Sequence, residues 1–298
     1  MKRYKSTIPE KIFYSFNYTL LAILAFISLI PIINILAVSL SSKFAAATGV
    51  VTLYPVQFTT SAYEFVLAND NFISSFLVSI RRVLIGVPLN AFLICLTAYP
   101  LSLKDKEFKG RSVFSWFFML SLIFNGGLIP TYLTVNAVGL VDNFLVLILP
   151  MAVPIYYVIL MRNFYLSIPE ALKESAFIDG AGHATVFFRI YLPLSKTGIA
   201  TIALLCFIFH WNSWFDGLLY IGETARQPLQ SYLQAIISKP INVNALATNP
   251  EQWRIVSKIS EQTLKSAQIF ISTLPIMIVY PFAQKYFTKG ILVGSIKG

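Results

Sequence analysis

Long apolar runs make up most of this chain, and short polar segments separate them. A helix needs about 20 apolar residues to cross the hydrocarbon core of a bilayer. Six segments come close to or exceed that length, namely residues 13–40, 72–103, 113–134, 144–161, 197–221 and 267–287. The pattern therefore predicts an all-α membrane protein with six transmembrane helices.

The short segments between the runs predict an orientation. Cations collect before the first run, between the second and third, between the fourth and fifth, and after the sixth: Lys2, Arg3, Lys5 and Lys11; Lys104, Lys106, Lys109 and Arg111; Arg162, Lys173, Arg189 and Lys196; Lys285, Lys289 and Lys297. All four segments fall on one face of a six-span bundle, and the positive-inside rule makes that face cytoplasmic. Both termini are therefore expected in the cytoplasm.

This orientation divides the chain into a cytoplasmic segment 1–12, a transmembrane domain 13–288 and a cytoplasmic tail 289–298. Residues 162–196 form a cytoplasmic loop, and residues 41–71 and 222–266 form external loops. Prolines within the runs, and the Asn125-Gly126-Gly127 interruption of the third run, predict kinked or broken helices. Lipid tolerates such breaks where neighbouring groups satisfy the freed backbone.

Composition supports the membrane assignment and excludes several classes of protein. Only 12% of the 298 residues are charged, about half the proportion of an ordinary soluble domain. The net charge of +10 arises mostly between the apolar runs, so nucleic-acid binding is not expected. Cys95 and Cys206 lie inside apolar runs without a CxxC pair or a Cys/His cluster, and the lone His210 has no second histidine nearby, so no metal site is expected.

No motif for a reaction is present. The chain lacks the P-loop pattern GxxxxGK[ST], and HExxH and GxSxG are also absent. The chain is therefore expected to bind no cofactor of its own. A transport protein fits best, with an ion-coupled secondary transporter, a structural subunit and an intramembrane hydrolase as alternatives from other classes.

The loop 162–196 contains a short predicted helix. Ser167 followed by Glu170 fits a capping box, Pro169 suits a first turn, and glycine at Gly180 suits a helix end. Isolated helices below about 12 residues are marginal in water. This helix therefore needs support, either from the underside of its own bundle or from a groove in another protein.

At this loop the chain resembles the permease subunits of binding-protein-dependent ABC importers. Glu174-Ser175-Ala176 stands at the positions of the EAA signature, followed at the family's spacing by Asp179-Gly180-Ala181 and Leu192-Pro193-Leu194. Ser175 replaces the usual middle alanine, and Thr197 stands where sugar permeases often have a second proline. Residues 124–132, 211–216, 227–230 and 280–290 resemble the carbohydrate branch, in particular its LplC/YtcP-type subunits, which are similar to MalG.

The resemblance implies a type I ABC importer permease fold and a set of partners. These are a homologous second permease, two ATP-binding subunits that hold ATP and Mg, an extracytoplasmic solute-binding protein and an oligosaccharide. The implied coupling contacts to the ATP-binding subunit are Glu174, Ser175, Ala176, Asp179, Gly180, Ala181 and Gly182, with Gly294 and Lys297 of the tail as a second contact. The external loop 222–266, with the turn-rich residues 242–250 at its centre, is the expected contact with the binding protein.

Two groups of polar residues are candidates for the substrate pathway. Arg81 and Arg82 lie inside the second run, where a charge is costly. Either they reach the external headgroups, or at least one of them faces water or a carboxylate such as Asp216 and favours an anionic saccharide. Because they are adjacent on a helix, they are not expected to share one partner. Trp211, Asn212, Trp214 and Asp216 suit a sugar ring, but Trp residues at this depth also serve as anchors and packing residues.

Overall fold

The computed structural model describes residues 7–238, 243 and 250–295 of the chain. All regular elements within these ranges are helical. The α-helices are α1 (Ile8–Ser39), α2 (Lys43–Ala47), α3 (Ser61–Leu67), α4 (Asp70–Ser102), α5 (Arg111–Ile123), α6 (Leu128–Ala137), α7 (Ile155–Leu166), α8 (Glu170–Ile178), α9 (His183–Val186), α10 (Leu192–Leu194), α11 (Lys196–Asn212), α12 (Phe215–Tyr220), α13 (Leu229–Ile237), α14 (Pro250–Val256) and α15 (Glu261–Ser295).

The apolar runs form either single long helices or bent pairs. Among the described residues, three stretches are long and apolar enough to cross a bilayer alone: Ile8–Ser39, Asp70–Ser102 and Glu261–Pro281. Three pairs qualify only when joined: α5 with α6, bent by 118°; the turns of Phe144–Met151 with α7, bent by 52°; and the His183–Leu194 segment with α11, bent by 79°. The chain therefore has up to six crossings, if each bent pair counts as one.

Two of the bends have local causes. The break between α5 and α6 lies at the predicted Asn125-Gly126-Gly127 position, where Asn125 Oδ1 accepts a hydrogen bond from Gly127 N at 2.9 Å. The predicted helix over residues 144–161 is wrong in its first half, which forms 3₁₀ turns at Phe144–Leu147 and Leu149–Met151. Proline provides no N–H and restricts the residue before it, and Pro154 precedes the α-helix at Ile155.

The loops contain more helix than the sequence predicted. The segment 222–266, predicted to be an external loop, includes α13, α14 and the first turn of α15, although residues 242 and 244–249 of its predicted turn-rich centre lie outside the described residues. Helix α15 continues to Ser295, so most of the predicted tail 289–298 is helical. Gly294 lies in its last turn, and Lys297 is outside the described residues.

The chain forms two compact units. One comprises the described residues of Met1–Asp70 and Ala235–Thr273, and the other those of Asn71–Gln234 and Leu274–Gly298. The first has a small core around Ala37, Ala45 and Val51. The main core of the second lies around Ile94 and Met161. Both candidate sites lie in the second unit.

Candidate functional site

Helix α8 carries the signature of the loop 162–196, and its start differs from the prediction. The predicted capping box is wrong, because Ser167 Oγ donates to Phe164 O at 2.6 Å and the helix begins after Pro169 without a side-chain cap. The Glu170 carboxylate instead binds Lys104 Nζ at 2.6 Å. A partner from another part of the chain thus replaces the local cap.

The end of α8 follows the prediction. The helix ends at Ile178, and Gly180 has φ +84°, a conformation that glycine adopts without the steric penalty of a side chain. The N–H of Ala181 then donates to Ala176 O at 2.9 Å. This bond closes the C-terminus of the helix and turns the chain toward α9.

One side of α8 is fixed to the loop between α4 and α5 through Lys173. Its side chain is only 4% exposed, and its Nζ lies 2.7 Å from Glu107 Oε1 and 3.4 Å from Glu170 Oε1. Glu107 Oε2 also accepts from Lys104 N at 3.2 Å. The buried ammonium is therefore paired, as the cost of burying an isolated charge requires.

The pKa values of these groups follow from their contacts. Partial burial is the largest single effect on Glu107 and raises its pKa, but the hydrogen bonds from Lys173 and from Lys104 N, together with the charge of Lys173, leave the pKa below its ordinary value. Burial is also the largest single effect on Lys173 and lowers its pKa, yet the hydrogen bonds to Glu107 and Glu170, together with the charge of Glu107, leave the pKa above its ordinary value. Both groups are therefore charged at neutral pH.

The same side of α8 also makes an aromatic contact. The ring of Phe177 lies 5.1 Å from that of His183 in an edge-on arrangement. His183 Nδ1 lies 3.1 Å from the hydroxyl oxygen of the buried Tyr99, on α4. Tyr99 in turn packs on Tyr191, at 4.9 Å between ring centroids. This chain of contacts connects α8 with α4 and with the segment that leads into α11.

The opposite side of α8 is open. Ile178 is 86% exposed, and the other exposed candidate residues here are Glu174, Ser175, Asp179, Gly180 and Gly182, whereas Ala176 and Ala181 are half-buried. The sequence analysis left open whether α8 is supported by its own bundle or by another protein. In the structure, its own bundle holds one side of α8 and leaves the other side uncovered.

A second cluster of polar side chains lies in the apolar part of the same unit. Arg82 is fully buried and pairs with both carboxylate oxygens of Asp216. Its Nε donates to His210 Nδ1 at 3.2 Å. As expected, the two arginines have different partners, since the guanidinium of Arg81 lies 4.3 Å from the ring centroid of Phe144 and forms a cation–π contact.

This cluster explains how the chain tolerates a broken helix at residues 213–214. Ser213 is the C-terminal cap of α11, and its carbonyl accepts from Arg82 Nη1 at 3.5 Å. Asp216 is in the first turn of α12 and its Oδ1 accepts from Gly217 N at 2.9 Å. A cation at a helix C-terminus and an anion at a helix N-terminus both suit the helix dipole. The freed backbone groups are thus satisfied from within the protein.

The other candidate residues of the substrate pathway differ in how exposed their side chains are. Trp211 is 1% exposed and stacks on Phe207 at 6.2 Å between ring centroids, so in this structure it packs in the interior. Trp214 and Asn212 are exposed, although Asn212 Nδ2 donates to Ile208 O of its own helix at 2.9 Å. Within the described ranges, no group of His, Cys, Asp and Glu is arranged to hold a metal ion.

Known proteins resemble the chain over nearly its whole length. Protein LplC of Bacillus subtilis (strain 168) is 39% identical over 293 residues, which cover 98% of this chain and 97% of that protein. The polygalacturonan/rhamnogalacturonan transport system permease protein YtcP of the same organism is 36% identical over 291 residues, covering 98% and 100%. No protein-family profile matches the chain.

A solved structure also resembles the chain over nearly its whole length. A chain from the crystal structure of a bacterial ABC transporter involved in the import of the acidic polysaccharide alginate is 35% identical, with a TM-score of 0.83 over 95% of this chain and 99% of that one. The chain belongs to the permease subunits of sugar ABC transporters. This permease is therefore a membrane protein, and in such transporters the ATPase activity lies in partner subunits.

Sequence reasoning missed Lys173 and Glu107, which fix the helix of this permease. One signal was available, because Lys173 lies four positions before Phe177 and so shares its face of α8. A lysine on a face that packs inward requires an acidic partner. His210 was considered only as a metal ligand and was given no role, although Arg82 Nε donates a hydrogen bond to it.

Proposed function

We propose that this permease is a subunit of an ATP-driven importer for acidic oligosaccharides. It has six transmembrane helices and cytoplasmic termini, and it pairs with a homologous second permease. Two ATP-binding subunits hold the ATP and Mg, since the chain has no P-loop. An extracytoplasmic binding protein delivers the sugar, and the cargo crosses by alternating access.

The observation that carries the coupling role is the two-sided environment of α8. Its inner side is fixed by the Lys173–Glu107 ion pair, at 2.7 Å, and by the contact of Phe177 with His183. Its outer side presents the exposed Ile178 and the signature residues around Glu174. A helix that is rigidly attached to its own bundle and open on the other side suits the transfer of a motion from a docked ATP-binding subunit.

The inner contacts supply a route for that motion. Phe177 lies against His183, His183 against Tyr99 of α4, and Tyr99 against Tyr191, one residue before α10. Packed interiors are dense and resist deformation, so a displacement of α8 is passed on to the segments it contacts. On this proposal, ATP-driven closure of the ATP-binding pair moves α8 together with the ends of α4 and α11.

Arg81 supports an acidic cargo. The charge of Arg82 is matched by Asp216, whereas Arg81 is exposed and forms no ion pair in the described part of the chain. A guanidinium in this position can bind a carboxylate with two parallel hydrogen bonds. The similar structure described above belongs to an importer of an acidic polysaccharide, which favours the same class of cargo here.

The test is ATP hydrolysis by the reconstituted complex with its binding protein, across matched acidic and neutral oligosaccharides. We expect acidic oligosaccharides to give the larger stimulation. Arg81→Gln should lower the rate for acidic cargo by about two- to fivefold, the equivalent of an exposed charge pair, and leave neutral cargo unchanged. Arg254→Gln is the control, because Arg254 is also exposed and without a described ion pair.

Two results would contradict the proposal. Equal losses for acidic and neutral cargo in Arg81→Gln would remove the role of Arg81 in cargo preference. Uptake that survives ATP depletion but stops with an ionophore would remove the ATP-driven importer and favour an ion-coupled transporter.

A further inference from the structure

An open cleft lies between α5 and α7, at the end of these helices that is next to α8. Its volume is about 310 Å³, at the lower end of the range of ordinary ligand pockets, roughly 300–1,000 Å³. Its polar lining consists of Arg111, Arg162, Ser112 and Ser115, and apolar side chains line the remainder. The cleft is thus polar at one end and apolar at the other.

The two arginines differ in how they are neutralised. Arg111 donates from Nε and Nη2 to the two carboxylate oxygens of Asp105, at 2.9 and 3.2 Å. Arg162 donates only from Nε, to Leu101 O at 2.7 Å. No carboxylate of the described part of the chain forms an ion pair with Arg162, which leaves one unmatched positive charge and four free N–H donors at the cleft.

The rest of the cleft suits a hydrocarbon chain. From Arg111 to Met119 the wall formed by α5 extends about 12 Å along the helix axis, and Trp116 is 67% exposed on it. Ile155 and Ile159 of α7 complete the apolar wall. The Ser115 hydroxyl makes no hydrogen bond in the described part of the chain, so it is available near the boundary between the polar and apolar ends.

We propose that this cleft binds an anionic phospholipid, with the phosphate on Arg162 and an acyl chain along Trp116 and Ile159. A guanidinium binds phosphate through paired hydrogen bonds, and one negative headgroup balances the one unmatched charge. Basic pockets between transmembrane helices on the cytoplasmic side are typical sites for anionic headgroups. The lipid site depends on the membrane orientation proposed above but not on the proposed cargo. The lipid proposal can therefore be wrong while the importer assignment remains correct.

The first experiment uses the wild-type complex. A photoactivatable phosphatidylglycerol, cross-linked in lipid nanodiscs and mapped by peptide mass spectrometry, should label α5 and α7 around Trp116 and Ile159. Native mass spectrometry should show phosphatidylglycerol retained in preference to phosphatidylcholine when the two are present in equal amounts. Absence of label from both helices, or equal retention of the two lipids, would overturn the site.

Variants of the cleft then distinguish the contribution of its charge to lipid binding from the contribution of its shape. Arg162→Gln should weaken phosphatidylglycerol retention about tenfold, and Arg162→Lys should weaken it less, because charge remains while the planar fork is lost. Arg189→Gln is the matched control: Arg189 is exposed, close in sequence and without a described ion pair. Ile159→Trp should reduce retention by filling the apolar end without changing the charge.

Competitors distinguish the sources of the anion. Glycerol phosphate, which lacks acyl chains, should not displace the bound lipid. Displacement by glycerol phosphate would show that the apolar wall contributes nothing, and displacement by an acidic oligosaccharide would assign the cleft to the cargo; either result overturns the lipid site. Unchanged lipid retention in Arg162→Gln would do so as well.

Discussion

Lys173 Nζ lies 2.7 Å from Glu107 Oε1, although the two residues are 66 positions apart in the sequence. The pair joins α8 to the loop between α4 and α5, and Lys173 is almost completely buried. On the proposed coupling role, fixing the inner side of α8 in this way keeps its outer side in one orientation toward the ATP-binding subunit. The pair is therefore expected to affect both stability and coupling.

Glu107→Gln should uncouple the permease and destabilise it. Removing one partner of a buried ion pair costs roughly 3–5 kcal/mol; here Glu170, at 3.4 Å from Lys173 Nζ, and the partial exposure of Glu107 reduce that cost. We expect a lower melting temperature of the purified complex and a loss of cargo-stimulated ATP hydrolysis, while the protein still inserts. The melting temperature and the stimulated ATPase rate are measured in parallel.

Two further variants show whether the buried charge is the cause. Adding Lys173→Met to Glu107→Gln removes the stranded ammonium, so stability should recover, whereas coupling should not. Lys104→Gln is the control, since Lys104 forms an exposed ion pair with Glu170 and such pairs contribute little. Normal cargo-stimulated hydrolysis in Glu107→Gln would show that the pair does not support coupling.

The same pair predicts a pH dependence. The pKa of Glu107 is lowered in the folded protein, so its contribution is present above the unfolded pKa of about 4.5 and is lost as the pH falls through the folded value. The pKa of Lys173 is raised, so its contribution is lost only above its ordinary value of 10.5. The difference in melting temperature between wild type and Glu107→Gln should be constant from pH 6 to about 9 and shrink below about pH 4.5. A difference that grows on acidification would contradict the assigned ion pair.

Arg82 and Asp216 should be strongly coupled in stability. Asp216→Asn leaves the fully buried Arg82 without its carboxylate, at a cost of roughly 3–5 kcal/mol. Arg82→Gln should cost less, because Asp216 is 22% exposed and keeps its hydrogen bonds from Ser213 and Gly217. The double variant should lose less than the sum of the two, because neither charge is stranded. Apparent melting temperatures in detergent test this, and additive losses would mean that the two side chains do not interact.

Gly86 is required by the close approach of His210. A Cβ at this position would lie 2.6 Å from His210 Nε2, closer than van der Waals contact allows. Gly86→Ala should therefore destabilise the protein by about 1–3 kcal/mol, the usual cost of overpacking. Gly222→Ala is the control, since its added Cβ would meet nothing within 4 Å. Equal melting temperatures for the two variants would contradict this packing.

The sequence predicted the elements that depend on local patterns. The apolar runs became the helices of the structure, the break at Asn125-Gly126-Gly127 was correct, and Gly180 ends α8 in the left-handed conformation. These features follow from hydrophobic length and backbone preference, which act within a few residues. The family resemblance, carried by the motifs of this loop and the other runs, was confirmed by relatives that cover nearly the whole chain.

The features that the sequence missed depend on distant contacts. The capping box at Ser167 and Glu170 matched a local motif, but Lys104 lies 2.6 Å from the Glu170 carboxylate and replaces the cap. The Lys173–Glu107 pair has no motif because its members lie in different loops. Arg82 and Asp216 were named as a pair of candidates, yet nothing local indicated that their bond spans a helix break.

The contact between α8 and an ATP-binding subunit is the centre of this account, and cysteine cross-linking tests it most directly. The native Cys95 and Cys206 are both buried, so a cysteine placed at the 86% exposed Ile178 is the accessible thiol in this part of the chain. Ile178→Cys should cross-link to the ATP-binding subunit of the complex, and the yield should change when ATP binds. Phe44→Cys is the control, because Phe44 is 77% exposed but lies in the predicted external loop 41–71 and should not cross-link to that subunit. Absence of a cross-link from Ile178→Cys in an assembled complex that hydrolyses ATP would contradict the coupling role of α8.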